Sequence, residues 1–182
     1  MNQKVKMKPS YLKIAFLDRD GTLIKDYPDE KWREIKEPEF LEGSIEGLKR
    51  LKEMGYDFII ITNQYLINDG IISLNDYQQF TGKFLKKLKE ENIDILKIYF
   101  CPHNEKDHCH CKKPKPGMIE QAKKDFLIDM NNSIYIGDSQ VDYLLAKHFT
   151  LTFYGINYNG DNVKSYHSIL DISKQIKKIQ NK

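Results

Sequence analysis

Two carboxylates follow a short apolar stretch near the start of the chain. Ile14–Leu17 is an unbroken apolar run, which predicts a strand buried on both faces, and Asp18 and Asp20 come directly after it. Ligands of open parallel sheets bind beyond the carboxyl ends of the strands, and Gly21 permits a sharp turn that leaves its backbone amide accessible to an anion. The two aspartates could act on such an anion there, although an isolated D-x-D sequence is more often a solvated turn.

Later segments place further polar groups after predicted strands or in a proline-rich loop. Strand-helix-strand crossovers make consecutive strands parallel, so we expect these groups at the same edge of the sheet as Asp18. Clustered carboxylates cannot all ionise without a counter-charge, which makes this edge suitable for a hard divalent cation such as Mg2+. The groups are Thr62 and Asn63 after the apolar run 58–61, Lys113 in K-K-P-K-P-G-M, and Asp138 and Asp142 after the run 134–137.

Together these segments resemble the four motifs of the haloacid dehalogenase (HAD) superfamily of phosphatases. The matching sequences are D-R-D-G-T, T-N-Q, the lysine of K-P-K-P-G-M, and G-D-x-x-x-D, in that order. A further sequence, C-P-H-x5-C-x-C-K-K-P, resembles the branch that holds heptose bisphosphate phosphatase and histidinol-phosphate phosphatase. The motif-bearing core covers about residues 11–155.

The resemblance implies a role for each motif in the hydrolysis of a phosphomonoester. Asp18 is then the nucleophile that forms an aspartyl-phosphate, and Asp20 is the general acid and base. Asp18, the backbone carbonyl of Asp20, and Asp138 hold Mg2+, while Asp142 holds a metal-bound water or braces the loop. The phosphoryl oxygens are bound by the backbone amides from Arg19 to Gly21 and by Thr62, Asn63 and Lys113.

All three cysteines of the chain lie within eleven residues, together with three histidines. Cys101, His103, Cys109 and Cys111 form two C-x-[CH] pairs joined by a short loop, a spacing that can close a tetrahedron around one Zn2+ ion. Four protein ligands leave no open position, which predicts a structural zinc. His108 or His110 could replace one ligand; a disulfide is disfavoured by the odd count, and loose thiols would not explain the clustering.

The pattern of the whole chain predicts one α/β domain over residues 1–182, with a parallel sheet flanked by helices. The resemblance implies that this fold is Rossmann-like, with a minimal cap that carries the zinc loop. The resemblance also implies that residues 24–42 frame the mouth of the site, where Trp32 either contacts substrate or packs within the loop. Helix starts are expected at Ser44, at Ser73 with Asp76, at Pro116, and at Ser168 with Asp171, and further strands at 95–100, 133–137 and 151–154.

The net charge and the hydropathy of the chain limit the kinds of partner that we expect it to bind. The net charge of +3 is modest, and the lysines at 83, 86, 87 and 89 lie opposite the apolar face of a predicted helix, so we expect a solvated face and no nucleic-acid partner. The apolar stretch that follows the basic start is too short for a signal peptide or a membrane span. We therefore expect a cytoplasmic monomer that acts on a small phosphorylated metabolite.

The substrate is less determined than the reaction. Lys112, and also Arg19 or Lys115, could meet a second anionic group, which favours a sugar bisphosphate such as a heptose bisphosphate. Histidinol phosphate is the alternative, since its cationic groups would suit carboxylates near the mouth, such as Asp26 and Asp29. Two further alternatives are a polynucleotide 3'-phosphatase and a non-catalytic, zinc-stabilised binding module; the latter would be expected to lack Asp18, Asp20 or Lys113.

Overall fold

The computed structural model describes residues 11–160 and 163–180. Within them, six parallel strands form one sheet in the order β3-β2-β1-β4-β5-β6. The strand that carries the first aspartates lies near the centre of this order, between β2 and β4. The strands are β1 (Ile14–Leu17), β2 (Asp57–Asn63), β3 (Ile95–Cys101), β4 (Ile134–Gly137), β5 (Thr152–Ile156) and β6 (Ser165–Tyr166).

Helices cover both faces of the sheet because the strand residues alternate between two hydrophobic clusters. Ala15 and Leu17 of β1 pack toward one side, whereas Ile14 and Phe16 pack toward the other. The first side is covered by α1 (Ser44–Glu53), α2 (Leu74–Glu90) and α5 (Ile169–Gln180), and the second by α3 (Gly117–Asp125) and α4 (Gln140–His148). The expected α/β architecture is therefore confirmed.

The strand register aligns the segments that carry the candidate site. Leu17 of β1 lies opposite Ile60 of β2 and Ile136 of β4. Since all three strands run in the same direction, the residues that follow these positions emerge at the same edge of the sheet. This edge holds the groups expected to perform chemistry.

Most element boundaries agree with the sequence patterns, and the exceptions have local causes. Ser73 caps α2 through a reciprocal pair of hydrogen bonds with Asp76, as expected. The expected cap at Ser44 is wrong, because Gly43 occupies the cap position with φ of 75° and Ser44 is the buried first residue of α1. A side chain at Gly43 would crowd Ser168, so the close approach of α5 selects glycine there.

Strand β6 was not expected, because two residues with no apolar pattern carry no strand signal. The fifth strand begins at Thr152 and continues to Ile156, two residues beyond its expected end. Among the described residues, no helix is both long enough and apolar enough to cross a bilayer. The expectation of one domain over 1–182 includes residues outside the described ranges and stays a prediction.

Candidate active site

A cleft of about 220 Å³ opens at the carboxyl edge of β1, β2 and β4. The parallel register explains why residues far apart in the chain meet there: each lies at the end of a central strand, directly after it, or in the loop before α3. Of the expected site residues, those that line the cleft are Asp18, Asp20, Thr62, Asn63, Lys113 and Asp138.

A buried ammonium group lies between two carboxylates at the base of the cleft. Lys113 Nζ is 2.5 Å from Asp18 Oδ1 and 2.7 Å from Asp142 Oδ1, and all three side chains are less than a tenth exposed. Burial alone would lower the pKa of Lys113, but the charges of Asp142 and Asp18 outweigh it and raise the pKa. The raised pKa favours the charged form of Lys113, which is in direct contact with the predicted nucleophile.

Burial raises the pKa of Asp18 well above its ordinary value, and the nearby charges of Asp142, Asp138 and Asp20 act in the same direction, against Lys113. The pKa of Asp138 is raised to about 6, first by burial and then by the charge of Asp142. Both shifts have the same origin, namely carboxylates gathered in a poorly solvated cleft.

Asp142 is held from several directions and is fully buried. Besides Lys113, its carboxylate accepts hydrogen bonds from the Tyr135 hydroxyl at 2.9 Å and from the backbone amide and hydroxyl of Ser139. Tyr135 lies on β4 and Ser139 caps α4, so the strand and the helix both orient this carboxylate. Of its two expected roles, Asp142 therefore occupies the position of a brace for Lys113 and for the loop after β4.

Three carboxylates could hold a cation. Oxygen atoms of Asp18, Asp138 and Asp142 all lie within 4.8 Å of one another. Hard divalent ions prefer such oxygen ligands, and the surrounding acids outnumber the cations Lys113 and Arg19. Gly21 permits this packing: it adopts φ of 82°, and a side chain there would collide with the Asp138 carboxylate. The donor set fits Mg2+.

The last two residues of β2 and the residue that follows them take part in hydrogen bonds at the cleft. Asn63 Nδ2 donates to the Lys113 carbonyl at 3.3 Å, and its Oδ1 accepts from the Lys113 amide at 2.9 Å, so this side chain positions the lysine main chain. Gln64 Nε2 donates to Thr62 Oγ1 at 2.9 Å and to Asp20 Oδ2 at 2.7 Å. Sequence analysis assigned Gln64 no role; its place in T-N-Q, directly after the strand, was the available signal.

Two expectations for the D-R-D-G turn are corrected. The Gly21 amide is not accessible to an anion, because it donates to the Ile24 carbonyl at 2.8 Å where the chain turns back. The Arg19 side chain cannot meet a second anion of a substrate, because it is buried and paired with Asp20 at 2.9 Å. Within the described ranges, the backbone amides of Arg19 and Asp20 donate no hydrogen bond, so an anion could still accept from them.

Lys112 does not line the cleft. Its ammonium is 2.7 Å from Glu105 and lies over the Tyr65 ring, 5.0 Å from the centroid. Tyr65 does line the cleft, and its hydroxyl donates to Asp29 at 2.9 Å. Trp32 packs edge-on against Phe80, which agrees with the second of its two expected roles, and it also lines the cleft. Lys112 thus contacts the Tyr65 ring, which lines the cleft, without lining the cleft itself.

A second cluster lies in the loop that leads to Lys113. Ligand atoms of Cys101, His103, Cys109 and Cys111 all lie within 4.8 Å of one another. His103 Nδ1 is 3.2 Å from Cys111 Sγ and 3.4 Å from Cys101 Sγ, and Cys101 Sγ is 3.6 Å from Cys109 Sγ. These separations approach the edges of a tetrahedron with metal-ligand bonds of about 2.0–2.3 Å. The donor set fits Zn2+.

The two alternative histidines point elsewhere. His110 Nε2 lies 2.8 Å from a carboxylate oxygen of Glu120, and His108 is exposed at the end of a 3-10 turn with φ of 45°. Of the three imidazoles in this segment, only that of His103 is grouped with the thiols.

Comparison with known proteins extends the motif resemblance to most of the chain. A family model described as "Polynucleotide kinase 3 phosphatase" matches residues 13–172. A D-glycero-alpha-D-manno-heptose-1,7-bisphosphate 7-phosphatase of Photorhabdus laumondii is 42% identical over 144 residues, which are 75% of this chain and 77% of that protein. A D-glycero-beta-D-manno-heptose-1,7-bisphosphate 7-phosphatase of Pasteurella multocida is 38% identical over 180 residues, which are 91% of this chain and 97% of that protein.

A solved structure shares the fold. The D,D-heptose 1,7-bisphosphate phosphatase from B. bronchiseptica, complexed with magnesium and phosphate, superposes with a TM-score of 0.80 at 21% identity, covering 94% of this chain and 100% of that chain. At this identity the likeness concerns the fold. Given the family model that spans most of its length and the two relatives that cover three quarters or more of it, this chain belongs to the HAD superfamily of phosphatases, in the group that contains the heptose-1,7-bisphosphate 7-phosphatases.

Proposed function

We propose that this HAD phosphatase hydrolyses one phosphate ester of a sugar bisphosphate, a heptose 1,7-bisphosphate in the first place, with Mg2+ as its catalytic ion. The observation that carries the proposal is the buried contact of Lys113 with Asp18 in a cleft that Asp20 also lines. A carboxylate beside a fixed cation suits attack on a phosphoryl group, whose own charge repels nucleophiles. The names of the similar curated proteins support the sugar bisphosphate.

In the first step, a carboxylate oxygen of Asp18 forms a bond to phosphorus while the bond from phosphorus to the sugar oxygen breaks. Asp20 donates its proton to that leaving oxygen, and the sugar leaves as an alcohol. Lys113, the Thr62 hydroxyl, and the backbone amides of Arg19 and Asp20 bind the phosphoryl oxygens. The aspartyl-phosphate on Asp18 remains.

In the second step, Asp20 takes a proton from water as the water oxygen forms a bond to phosphorus. The bond between phosphorus and Asp18 breaks, inorganic phosphate leaves, and Asp18 regains its carboxylate. Asp20 is again protonated, so the two residues are ready for another substrate. Asp142 keeps Lys113 aligned through both steps and stays outside the bond changes.

Asp18, Asp138 and the backbone carbonyl of Asp20 are the proposed ligands of Mg2+. The ion supplies positive charge that offsets both the clustered carboxylates and the substrate phosphate. The Cys101, His103, Cys109 and Cys111 cluster is the proposed site of a structural Zn2+ that rigidifies the loop before Lys113. Reduced thiols suit the cytoplasm, where we place this protein as a monomer with a small metabolite, and no nucleic acid, as its partner.

Measuring kcat/KM for several substrates tests the proposal. The substrates are both anomers of heptose 1,7-bisphosphate, histidinol phosphate and a 3'-phosphorylated oligonucleotide. We expect the highest kcat/KM for a heptose bisphosphate and loss of turnover on removal of Mg2+ with a chelator. Asp26 and Asp29 line the cleft, the arrangement that a cationic substrate such as histidinol phosphate would use. A higher kcat/KM for histidinol phosphate or the oligonucleotide would therefore contradict the proposed substrate.

A further inference from the structure

Arg19 is a buried cation to which the proposed chemistry assigns no side-chain function. Its side chain is 2% exposed, and its guanidinium contacts the carboxylate of Asp20 twice. Nε donates to Oδ1 and Nη2 donates to Oδ2, each at 2.9 Å. Two parallel hydrogen bonds fix both the distance and the plane of a carboxylate, which a single ammonium contact cannot do.

The guanidinium is itself held by α2. Its third nitrogen, Nη1, donates to Thr81 Oγ1 at 3.3 Å. The guanidinium carbon lies 5.4 Å from the centroid of the Tyr77 ring and 5.3 Å from that of Phe80, so two aromatic rings flank it. Residues on two turns of α2 therefore orient the two nitrogens of Arg19 that donate to Asp20.

Asp20 receives a third donor from the end of β2. Gln64 Nε2 lies 2.7 Å from Oδ2 of Asp20, so both oxygens of this carboxylate are engaged. When one oxygen carries the proton that goes to the leaving group, the other can still accept from Arg19. Arg19 can thus keep at least one hydrogen bond to Asp20 while this carboxyl group carries the proton.

We propose that Arg19 is a positioning residue that aims the Asp20 carboxyl group at the leaving oxygen, and that α2 controls this aim through Tyr77, Phe80 and Thr81. The inference rests on the proposed function, since it needs Asp20 to transfer the proton. Proton transfer requires a donor-acceptor separation of about 2.6–3.2 Å, and misplacement by about 1 Å can lower a rate on the order of 100-fold.

The dependence on the leaving group separates positioning of Asp20 from general structural damage. An alkyl or sugar phosphate releases a strongly basic oxygen and needs the proton, whereas p-nitrophenyl phosphate releases a weakly basic phenolate and needs it far less. We expect Arg19→Met to lower kcat/KM for the alkyl ester on the order of 100-fold, and that for p-nitrophenyl phosphate by less than about fivefold. Arg19→Lys keeps the positive charge but replaces the planar guanidinium with a single nitrogen, so its kcat/KM for the alkyl ester should fall between those of Arg19→Met and the wild type.

A double-mutant cycle gives the second readout. If Arg19 acts through Asp20, Arg19→Met should add no further loss in an Asp20→Asn protein. The matched control is Arg50→Met, an exposed arginine on α1, which should leave both substrates unaffected. Circular dichroism and thermal melting show whether each variant is folded. If Arg19→Met does not fold, Arg19→Lys takes its place in the cycle.

Equal losses on both esters, or an additive loss in the Asp20→Asn protein, would overturn the positioning role while leaving the proposed function intact. Failure of the folded wild type to hydrolyse any of the esters in the presence of Mg2+ would instead overturn the proposed function, and the inference with it. The two failures are thus distinguishable in one set of assays.

Discussion

At the scale of single residues, the carboxylates gathered in and below the cleft each have a different environment. Asp18 is buried in contact with Lys113. Asp142 accepts hydrogen bonds from a residue of β4 and from the cap of α4, whereas Asp20 accepts them from Arg19 and Gln64. Identical side chains can therefore take different chemical roles, because burial and hydrogen bonding differ among them.

The first prediction concerns the two carboxylates that exchange bonds and protons. Asp18→Asn should abolish turnover while the protein stays folded, since the amide keeps the shape and is not a nucleophile. Asp20→Asn should lower kcat by about 100- to 10,000-fold, the usual contribution of general acid-base catalysis. Steady-state assays on a sugar phosphate measure both changes, and normal turnover in either folded variant contradicts the mechanism.

The second prediction concerns the buried ammonium. Lys113→Met leaves Asp18 and Asp142 without their shared cation, which should destabilise the fold by about 3–5 kcal/mol. Lys49→Met removes an exposed ion pair with Glu91 and should cost no more than about 1 kcal/mol. Urea unfolding in the presence of a chelator measures both values.

The same variant should show a characteristic pH dependence. A carboxyl group whose pKa is raised by folding contributes stability at low pH, and this contribution is lost as the pH rises through the folded-state pKa. Asp18 is such a group, and removal of Lys113 takes away the charge that opposes the rise. Lys113→Met should therefore be less destabilised, relative to the wild type, at about pH 5 than at about pH 8; a constant difference would contradict this account.

At the scale of elements, side chains from helices and loops support the strand ends. The end of β3 and the loop after it hold the cysteine cluster, and the same loop carries Lys113. Asp125, at the end of α3, accepts a hydrogen bond from Tyr99 of β3. Each contact joins the sheet to a segment outside it. Removing the cysteine cluster and removing the Asp125 contact should each change both the stability of the fold and the alignment of the cleft, but by different relative amounts.

The third prediction tests the cysteine cluster. The purified protein should retain about one equivalent of zinc after dialysis, and Cys109→Ser should lower zinc content, melting temperature and turnover together. His108→Ala is the matched control, because His108 is exposed and outside the cluster. Elemental analysis and thermal melting measure these effects; an active, fully folded protein without zinc would exclude the proposed site.

The fourth prediction tests the contact between α3 and β3. The Asp125 carboxylate accepts hydrogen bonds from Lys97, Tyr99 and Gln121, which lower the pKa of Asp125 from 3.8 to about 2. A lowered folded-state pKa contributes stability above the unfolded-state value, and this contribution is lost as the pH falls. Asp125→Asn should thus be destabilised at neutral pH and approach the wild type as the pH falls toward about 2, measured by urea unfolding; a difference that grows on acidification would contradict it.

At the scale of the whole molecule, the rim of the cleft comes from three segments that are distant in sequence. Tyr65 binds Asp29 across two of them, and Asn68 binds Asp107 across another pair. Lys112 joins this network through Glu105 and the Tyr65 ring. Substrate preference should accordingly depend on the contacts among the loops of the rim, whereas the reaction depends on the residues at the carboxyl edge of the sheet.

The fifth prediction concerns this rim. If a second phosphate of the substrate draws Lys112 away from Glu105, Lys112→Ala should raise KM for a sugar bisphosphate by about tenfold, equivalent to about 1.4 kcal/mol, with little change for histidinol phosphate. Lys106→Ala, an exposed lysine of the same loop, is the control. Equal increases in KM for both substrates would show that Lys112 does not distinguish them.

Much of the site could be predicted from the sequence because a parallel sheet brings strand ends together. The apolar runs before Asp18, Thr62 and Asp138 predicted strands, and parallel pairing then required their polar neighbours to share an edge. The clustering of three thiols within one loop predicted a metal-binding group for a similar reason, since the short loop keeps the ligands close.

Only the tertiary structure decided which hydrogen-bonding groups remain available. The Gly21 amide is used by Ile24, the Asn63 side chain by the Lys113 backbone, and the Arg19 guanidinium by Asp20. Likewise, the position of His103 beside the thiols and that of His110 beside Glu120 follow from how the loop folds. A sequence pattern determines which donors and acceptors exist, but their partners depend on distances and angles that arise only when separate elements pack.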